Sequence, residues 1–191
     1  MNAEIIYIHG AGIQGPKSIS RLLLKDLIRE VDDGLEIHAP EMPNPNSPDC
    51  QSWMEALDAN VHKSAGPLIL IGHSLGGSVI LKYLSENIVE TEIQHVLLLA
   101  VPFWGSQGWN ISSYHLKNEN IDQLLNFNNI NFFHCLDDKV VPASHLKEHL
   151  NLIPHAEGQI FKTGDHYFTD CIGKIKKQIR QLNKIQILLN E

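Results

Sequence analysis

Two patterns of apolar positions alternate along the chain and predict its elements. Short continuous apolar runs have the length of strands that are buried on both faces, as in a parallel sheet covered by helices. These runs are Ile5–Ile8, Leu68–Ile71 and Val96–Val101. Segments with apolar residues at helical spacing lie between them and predict amphipathic helices. These segments are Ser18–Val31, Ser52–Lys63 and Ser78–Asn87.

Weaker signals extend the alternation to the end of the chain. Short strands are predicted near Leu35–Ala39, Asn131–His134 and Gln159–Phe161, and a last helix from about Tyr167 to Leu189. Strands that alternate with helices are typical of an open, mostly parallel sheet with right-handed crossovers. We therefore expect a compact α/β fold of about six strands, with helices on both faces of the sheet.

Two segments interrupt this alternation. Residues Pro40–Pro48 include four prolines, too many for a helix or a central strand, and predict a rigid loop before the helix that carries Trp53. Residues 102–120 show no clear periodicity and follow a predicted strand. Long loops at the carboxyl ends of parallel strands lie on the ligand side of an α/β sheet, so we expect this segment to be a small substrate cover.

Length and charge narrow the classes of protein. The 191 residues fit a single domain, residues 1–191, and 43% of them are hydrophobic, enough for a buried core. The 15 Lys and Arg against 22 Asp and Glu give a net charge of −7, which argues against nucleic acid binding. Basic residues cluster only near the C-terminus, where we expect a solvated helix face. They are Lys174, Lys176, Lys177, Arg180 and Lys184.

The cysteines and the N-terminal residues bear on the compartment. Cys50, Cys135 and Cys171 are widely spaced and form no C-x-x-C pair, so reduced thiols are expected. The apolar run near the N-terminus is too short for a signal or membrane segment. We expect a soluble, cytoplasmic protein that does not bind membranes.

The most informative motif is Gly72-His73-Ser74-Leu75-Gly76, which lies directly after an apolar strand and before a helical pattern. In that context G-x-S-x-G is typical of a nucleophile elbow, a strained strand-to-helix turn that exposes the serine hydroxyl. The two glycines avoid Cβ clashes in the crowded turn. Ser74 is therefore the candidate nucleophile.

A serine hydroxyl needs a base, and the base needs an acid that orients it. In this fold the acid and then the histidine follow the serine, each on a loop after a later strand. His166 has a preceding strand, a glycine-containing loop and the correct order, unlike the other histidines after Ser74. The acid lies on the loop after the Asn131–His134 strand, where the residues alone leave Asp137 and Asp138 open.

An oxyanion hole requires two backbone N–H donors. Leu75, directly after the serine, is expected to supply one, and an early βα loop the other. His9-Gly10-Ala11-Gly12 follows the first strand, and we assign the second donor to Ala11. The side chain of His9 is expected to brace this loop.

Two other motifs compete with this interpretation. Residues 10–15 match the dinucleotide fingerprint G-x-G-x-x-G, but Pro16 follows it and no acidic residue ends the second predicted strand, which disfavours nucleotide binding. His145-Leu146-Lys147-Glu148-His149 matches H-x-x-E-H of zinc peptidases. A catalytic zinc needs a third protein ligand, for which few candidates remain, so a solvated helix is expected instead.

These motifs together resemble the α/β-hydrolase superfamily, and more narrowly the small YdeN-like serine hydrolases, the family that includes retinoblastoma-binding protein nine. The resemblance covers nearly the whole chain. It rests on Tyr7–Gly10, Met42–Pro45 with Trp53, Ile71–Gly77, Asp138–Pro142 and Gly164–Phe168. In such proteins the acid commonly begins an Asp-x-x-Val-Pro run, which implies Asp138. The resemblance also implies a hydrolase without a large cap, metal or organic cofactor.

The expected activity is that of a serine hydrolase acting on a small ester, with an amide or thioester as the less favoured substrate. No Lys or Arg occurs in residues 83–116 or 30–62, which should flank the site, so neutral substrates are favoured over anionic ones. Aromatic residues of the cover could line an apolar pocket or simply pack. They are Phe103, Trp104, Trp109 and Tyr114. The rival interpretation is an idle hydrolase scaffold that binds a protein partner of unknown identity through its basic C-terminal helix.

Overall fold

The computed structural model describes residues 3–12, 23 and 36–177. Six strands in this part form one parallel sheet in the order β2-β1-β3-β4-β5-β6. The strands are β1 Glu4–Ile8, β2 Glu36–His38, β3 Leu68–His73, β4 Ile93–Leu99, β5 Ile130–Cys135 and β6 Glu157–Phe161. The predicted α/β class and parallel sheet are confirmed.

Helices cover both faces of the sheet. The described helices with defined ends are α1 Cys50–Val61, α2 Leu75–Glu86 and α3 Ser144–Leu152. All three contribute to an apolar core on one face, in which Trp53 and Leu57 of α1 are fully buried. On the opposite face, a second apolar core includes Leu23 and the buried Ile175, which lies on a helical segment at 172–177. Every central strand is therefore buried on both sides, as its continuous apolar run predicts.

The bounds of the elements differ in places from the predicted ones. Helix α2 begins at Leu75, not at Ser78, because it starts directly behind the turn at Ser74. Strand β4 begins at Ile93 and ends at Leu99, before the predicted end at Val101. The predicted helix Ser18–Val31 lies outside the described residues except for Leu23, and the last helix is described only at 172–177.

The segment after β4 is more ordered than its pattern indicates. It contains two 3₁₀ helices, Ser112–Tyr114 and Asn118–Asn126. The indole nitrogen of Trp104 donates a 2.8 Å hydrogen bond to the Ser78 hydroxyl on α2. Trp104 also stacks on Tyr114, with ring centroids 5.1 Å apart. The segment is thus packed onto the domain by polar and aromatic contacts.

The expectation of a solvated helix face is wrong for the two histidines of α3 and, near the C-terminus, for Lys176, whereas Lys174 is exposed as expected. His145 and His149 of α3 are buried, because the segment around Phe103 packs over that face of the helix. Lys176 is also buried, in contrast to its exposed neighbour Lys177. Within residues 3–12, 23 and 36–177, no helix has the length and apolar character needed to cross a membrane.

Candidate active site

The turn between β3 and α2 holds Ser74 in an unusual backbone conformation. Its φ is 52° and its ψ −122°, a region that costs a non-glycine residue free energy and persists only where the surroundings enforce it. The surroundings here are tight. A Cβ on Gly72 would lie 2.5 Å from the Cα of Gly77, and a Cβ on Gly76 would overlap the carbonyl oxygen of Ile8. Glycine at these positions lets β1, β3 and α2 converge on one serine.

The loop after β1 passes directly beside this serine. A Cβ on Gly10 would lie 3.2 Å from the Cβ of Ser74, so the loop lies close to that residue. Leu75 is the first residue of α2, and the first N–H groups of a helix have no acceptor within it. The loop after β1 and the first turn of α2 therefore both lie against Ser74.

His9 fixes the shape of that loop. Its Nε2 accepts a 3.1 Å hydrogen bond from the backbone N–H of Met42, so its single proton is on Nδ1, which donates to the Gly10 carbonyl at 2.7 Å. Burial lowers the pKa of His9, partly offset by the Gly10 hydrogen bond and by Glu41. His9 is thus a neutral brace, as the sequence indicates.

The proline-rich loop holds the same region from the other side. The Gly12 N–H donates to the Pro45 carbonyl at 2.7 Å, and the Trp53 indole N–H donates to the Pro43 carbonyl at 2.6 Å. The loop is thereby fastened to both α1 and the β1 loop. Ala11 is exposed between these anchors.

The loops after β5 and β6 bring His166 and Asp138 together. The Nδ1 of His166 lies 2.8 Å from Oδ2 of Asp138, and both residues are buried. A carboxylate only accepts, so Nδ1 carries the proton, and in the neutral ring Nε2 keeps its lone pair. Of the two carboxylates on this loop, it is Asp138 that contacts the imidazole.

Asp138 is held as a carboxylate. Its Oδ1 accepts from the backbone N–H groups of Val140 and Val141 at 2.8 and 2.9 Å, and its Oδ2 also lies 3.4 Å from Nε2 of His134. Burial raises the pKa of Asp138, but the hydrogen bonds from His134 and His166 outweigh it, so the pKa lies well below its usual value. Asp138 is therefore a negatively charged acceptor for the Nδ1–H group of His166.

Asp137 has a different position. Its carboxylate accepts from the backbone N–H of Asp165 at 3.0 Å and from that of Gly164 at 3.3 Å. It therefore holds the backbone of the loop that carries His166, while its neighbour holds the side chain.

His73 links the turn at Ser74 to the same loop. Its Nε2 donates to the His166 carbonyl at 2.9 Å, and the two rings have centroids 4.9 Å apart. Burial, reinforced by nearby His166, lowers the pKa of His73 to about 3, so the ring is neutral. Because His73 precedes Ser74 in the chain, this contact ties the backbone of the His166 loop to the residue next to Ser74.

No direct hydrogen bond joins the Ser74 hydroxyl to His166 among the described residues. Catalytic hydrogen bonds are often long in enzymes without substrate and tighten when it binds. Ser74 is partly exposed, so a ligand could reach it.

Three of the four aromatic residues predicted to line a pocket border a cavity of about 30 Å³. The three are Phe103, Trp104 and Tyr114, and Ser78 and His149 also line the cavity, whereas Trp109 packs against Trp104 and His145. That volume holds only one or two water molecules. The aromatic side chains thus pack mainly on each other, one helical turn from Ser74.

The histidine pair of α3 is occupied by contacts of its own. Nδ1 of His145 accepts a 2.7 Å hydrogen bond from the Phe103 N–H. His149 stacks on Phe132 with centroids 4.7 Å apart, and neither of its nitrogens has a hydrogen-bond partner of ordinary geometry. Within residues 3–12, 23 and 36–177, no group of three or more His, Cys, Asp or Glu side chains is arranged to hold a metal ion. The two imidazoles act as buried packing groups.

The sequence does not predict the contacts that Asp137, His73 and His134 make in the site. His73 lies inside the elbow motif and Asp137 inside the acid loop, so both could be marked as site residues from their positions. His73 and Asp137 both contact the backbone of residues 164–166, and no sequence pattern predicts where that backbone lies.

Comparison with known proteins agrees with this architecture. The model of a family described as "Serine hydrolase" matches residues 29–149. Among curated proteins, YdeN of Bacillus subtilis (strain 168) is 26% identical over 100 residues, 52% of this chain and 51% of YdeN. The chain thus matches about half the length of that curated relative.

Solved structures show a similar fold over almost the whole chain. The ydeN gene product from B. subtilis superimposes with a TM-score of 0.75 at 19% identity, covering 95% of this chain and 98% of that one. The esterase EaEST from Exiguobacterium antarcticum gives a TM-score of 0.65 at 13% identity, with 96% and 92% covered. Both share the α/β-hydrolase fold with this chain.

Proposed function

We propose, from the premise that the chain belongs to the serine hydrolase family of YdeN-like α/β hydrolases, that it cleaves a small carboxylic ester without a cofactor. The observation that carries this proposal is the arrangement of three loops at one edge of the sheet. A strained Ser74 lies beside the residue that binds the His166 loop, and His166 is paired with Asp138.

In the proposed reaction, Ser74 Oγ attacks the acyl carbon while Nε2 of His166 takes the hydroxyl proton. Asp138 fixes the tautomer of His166 and stabilises its charged form. The proton then passes to the alcohol oxygen, which leaves as the carbon–oxygen bond breaks. A water molecule, deprotonated by His166, attacks the acyl-enzyme and releases the acid, and the proton returns to Ser74.

The negative oxygen of each tetrahedral intermediate is assigned to the backbone N–H groups of Leu75 and Ala11. Leu75 begins α2, and the contact of Gly10 with Ser74 brings the Ala11 loop to the same point. One such donor is worth about 10²–10³ in rate. The bracing by His9 keeps this loop in place before substrate arrives.

The surroundings favour a neutral or apolar substrate. Leu136 and Val140 flank Asp138 in the chain and are 60% and 52% exposed, so they form an apolar part of an exposed rim that also carries Asp137 and Lys139. We propose that this rim contacts the substrate and that residues 1–191 form one hydrolase domain with residues 102–120 as a small cover. Substrate contacts at the aromatic residues of that cover require side chains to move, since the cavity there holds only water-sized groups. An amide or thioester is a less favoured substrate for the same machinery.

The test uses a fluorophosphonate probe and p-nitrophenyl acetate. The wild-type protein should be labelled at Ser74 and turn over the ester, and Ser74→Ala should do neither while its circular dichroism is unchanged. Undiminished labelling of Ser74→Ala would contradict the assignment. Absence of labelling in the wild type would favour a binding protein on a hydrolase scaffold.

A further inference from the structure

We infer that Asp137 and His73 are positioning residues that clamp the 164–166 loop and thereby set the place of His166 relative to Ser74. This inference rests on the proposed function. It concerns two residues that do not touch the reacting atoms themselves.

The 164–166 loop needs external anchors because its own backbone is strained. Gly164 has a φ of +145°, Asp165 of +53° and Phe168 of +59°, all in the region that L side chains rarely adopt. Such conformations persist where neighbouring structure over-determines them. His166 lies in the middle of this strained segment, so its position depends on what holds the segment.

Asp137 supplies the first anchor. The conformation of Gly164 turns two successive N–H groups toward one carboxylate, which forms a small anion-binding nest. Asp137 is exposed, and its partners are the N–H groups of Gly164 and Asp165, at 3.3 and 3.0 Å. The loop after β5 thus makes two contacts with the His166 loop: Asp138 binds the imidazole, and Asp137 binds the backbone just before His166.

His73 supplies the second anchor, from the nucleophile side. Its Nε2–H donates to the carbonyl of His166 itself, and its ring packs against the rings of His166 and Tyr167, with centroids at 4.9 and 5.6 Å. His73 is covalently bonded to Ser74, so a single residue connects the nucleophile to the base. Because the His166 carbonyl can only accept, the single proton of the buried, neutral ring is held on Nε2.

The consequence is kinetic. A displacement of about 1 Å between nucleophile and base can cost about 10²-fold in rate while leaving substrate binding unchanged. Loss of an anchor should therefore lower kcat and leave KM nearly unchanged. The backbone N–H groups released by Asp137→Ala should also exchange faster with solvent.

The first test compares Asp137→Ala, Asp137→Asn and the exposed control Asp170→Ala. Asp137→Ala should reduce kcat for p-nitrophenyl acetate about 10- to 100-fold with KM within about twofold. Asp137→Asn keeps an acceptor oxygen and should recover kcat to within about threefold, and Asp170→Ala should match the wild type. Full kcat in Asp137→Ala, or equal loss in the Ala and Asn variants, would overturn the role of Asp137.

The second test addresses His73 with a matched pair. The amide nitrogen of Gln can take the place of Nε2, whereas Leu fills a similar volume without a donor. His73→Gln should therefore keep at least about a third of kcat and His73→Leu should lose about tenfold or more. Equal kcat in the two variants, with equal unfolding midpoints, would refute this half of the clamp.

A proton NMR measurement separates the clamp from the activity. The Nδ1–H of His166, hydrogen-bonded to Asp138, should give a downfield resonance in the wild type that broadens through solvent exchange in Asp137→Ala. An unchanged resonance and unchanged amide exchange at Gly164 and Asp165 would refute the clamp even if the protein is a hydrolase. If Ser74 is not labelled but these signals respond, the clamp stands and the proposed function fails.

Discussion

Replacement of Asp138 by Asn tests the proposed chemistry at its most sharply defined contact. The carboxylate has two differently occupied oxygens: Oδ1 accepts from Val140 and Val141, and Oδ2 accepts from His166. Asn has one acceptor oxygen, which the two backbone N–H groups should claim. Its amide N–H₂ would then face Nδ1 of His166, where two donors cannot meet. The imidazole must respond by moving its proton to Nε2.

The size of the effect follows from that tautomer. With the proton on Nε2, His166 cannot take a proton from Ser74, and the negative charge that stabilises the imidazolium is gone. Loss of the orienting acid by the same change in a serine protease lowers kcat by about 10⁴. We expect a loss of about 10³- to 10⁴-fold here, or about 4–5.5 kcal/mol in the activation free energy.

Steady-state turnover of p-nitrophenyl acetate measures this loss, with denaturant unfolding as the check on folding. The matched control is Asp137→Asn, the same change one residue earlier, which should stay within about threefold of wild-type kcat because an acceptor oxygen remains for the loop N–H groups. A folded Asp138→Asn variant that keeps a tenth of wild-type kcat would refute the reasoning. The reverse order of the two variants would move the acid to Asp137.

Two further predictions concern the scaffold. Gly76→Ala should lower the free energy of unfolding by about 1–3 kcal/mol, because the added Cβ would overlap the Ile8 carbonyl. The control Gly173→Ala places its Cβ in open space and should not destabilise the protein. Equal denaturation midpoints for the two variants would contradict this prediction. Burial lowers the pKa of His149 to about 3, so between about pH 6.5 and 3 the unfolded chain binds more protons than the folded one. The free energy of unfolding therefore falls as the pH falls, and His149 contributes up to about 1.4 kcal/mol per pH unit to that slope. His149→Phe should remove that part of the slope in unfolding titrations from pH 7 to 4, and parallel curves for the two proteins would show that His149 is not responsible.

The fold was predictable because its signals are local. A strand buried on both faces must be apolar at every position, and an amphipathic helix must repeat its apolar residues about every 3.6 positions, so both patterns are visible in the chain. The start of α2 at Leu75 was harder to predict, because Gly76 and Gly77 do not contribute to an apolar pattern. Their role is to let β1 and β4 approach the helix, which is a property of three elements together.

The sequence by itself determined the sheet, the order of its elements and the place of Ser74 behind a strand, since each depends on residue types that are close along the chain. The family resemblance implies Asp138 as the acid, but only the tertiary structure shows that Asp138 contacts the imidazole of His166 while Asp137 contacts the backbone before it, and that α3 is buried at His145 and His149. Adjacent carboxylates are equivalent in a sequence. They become different because the turn after β5 directs one carboxylate to the imidazole of His166 and the other to the backbone N–H groups of Gly164 and Asp165.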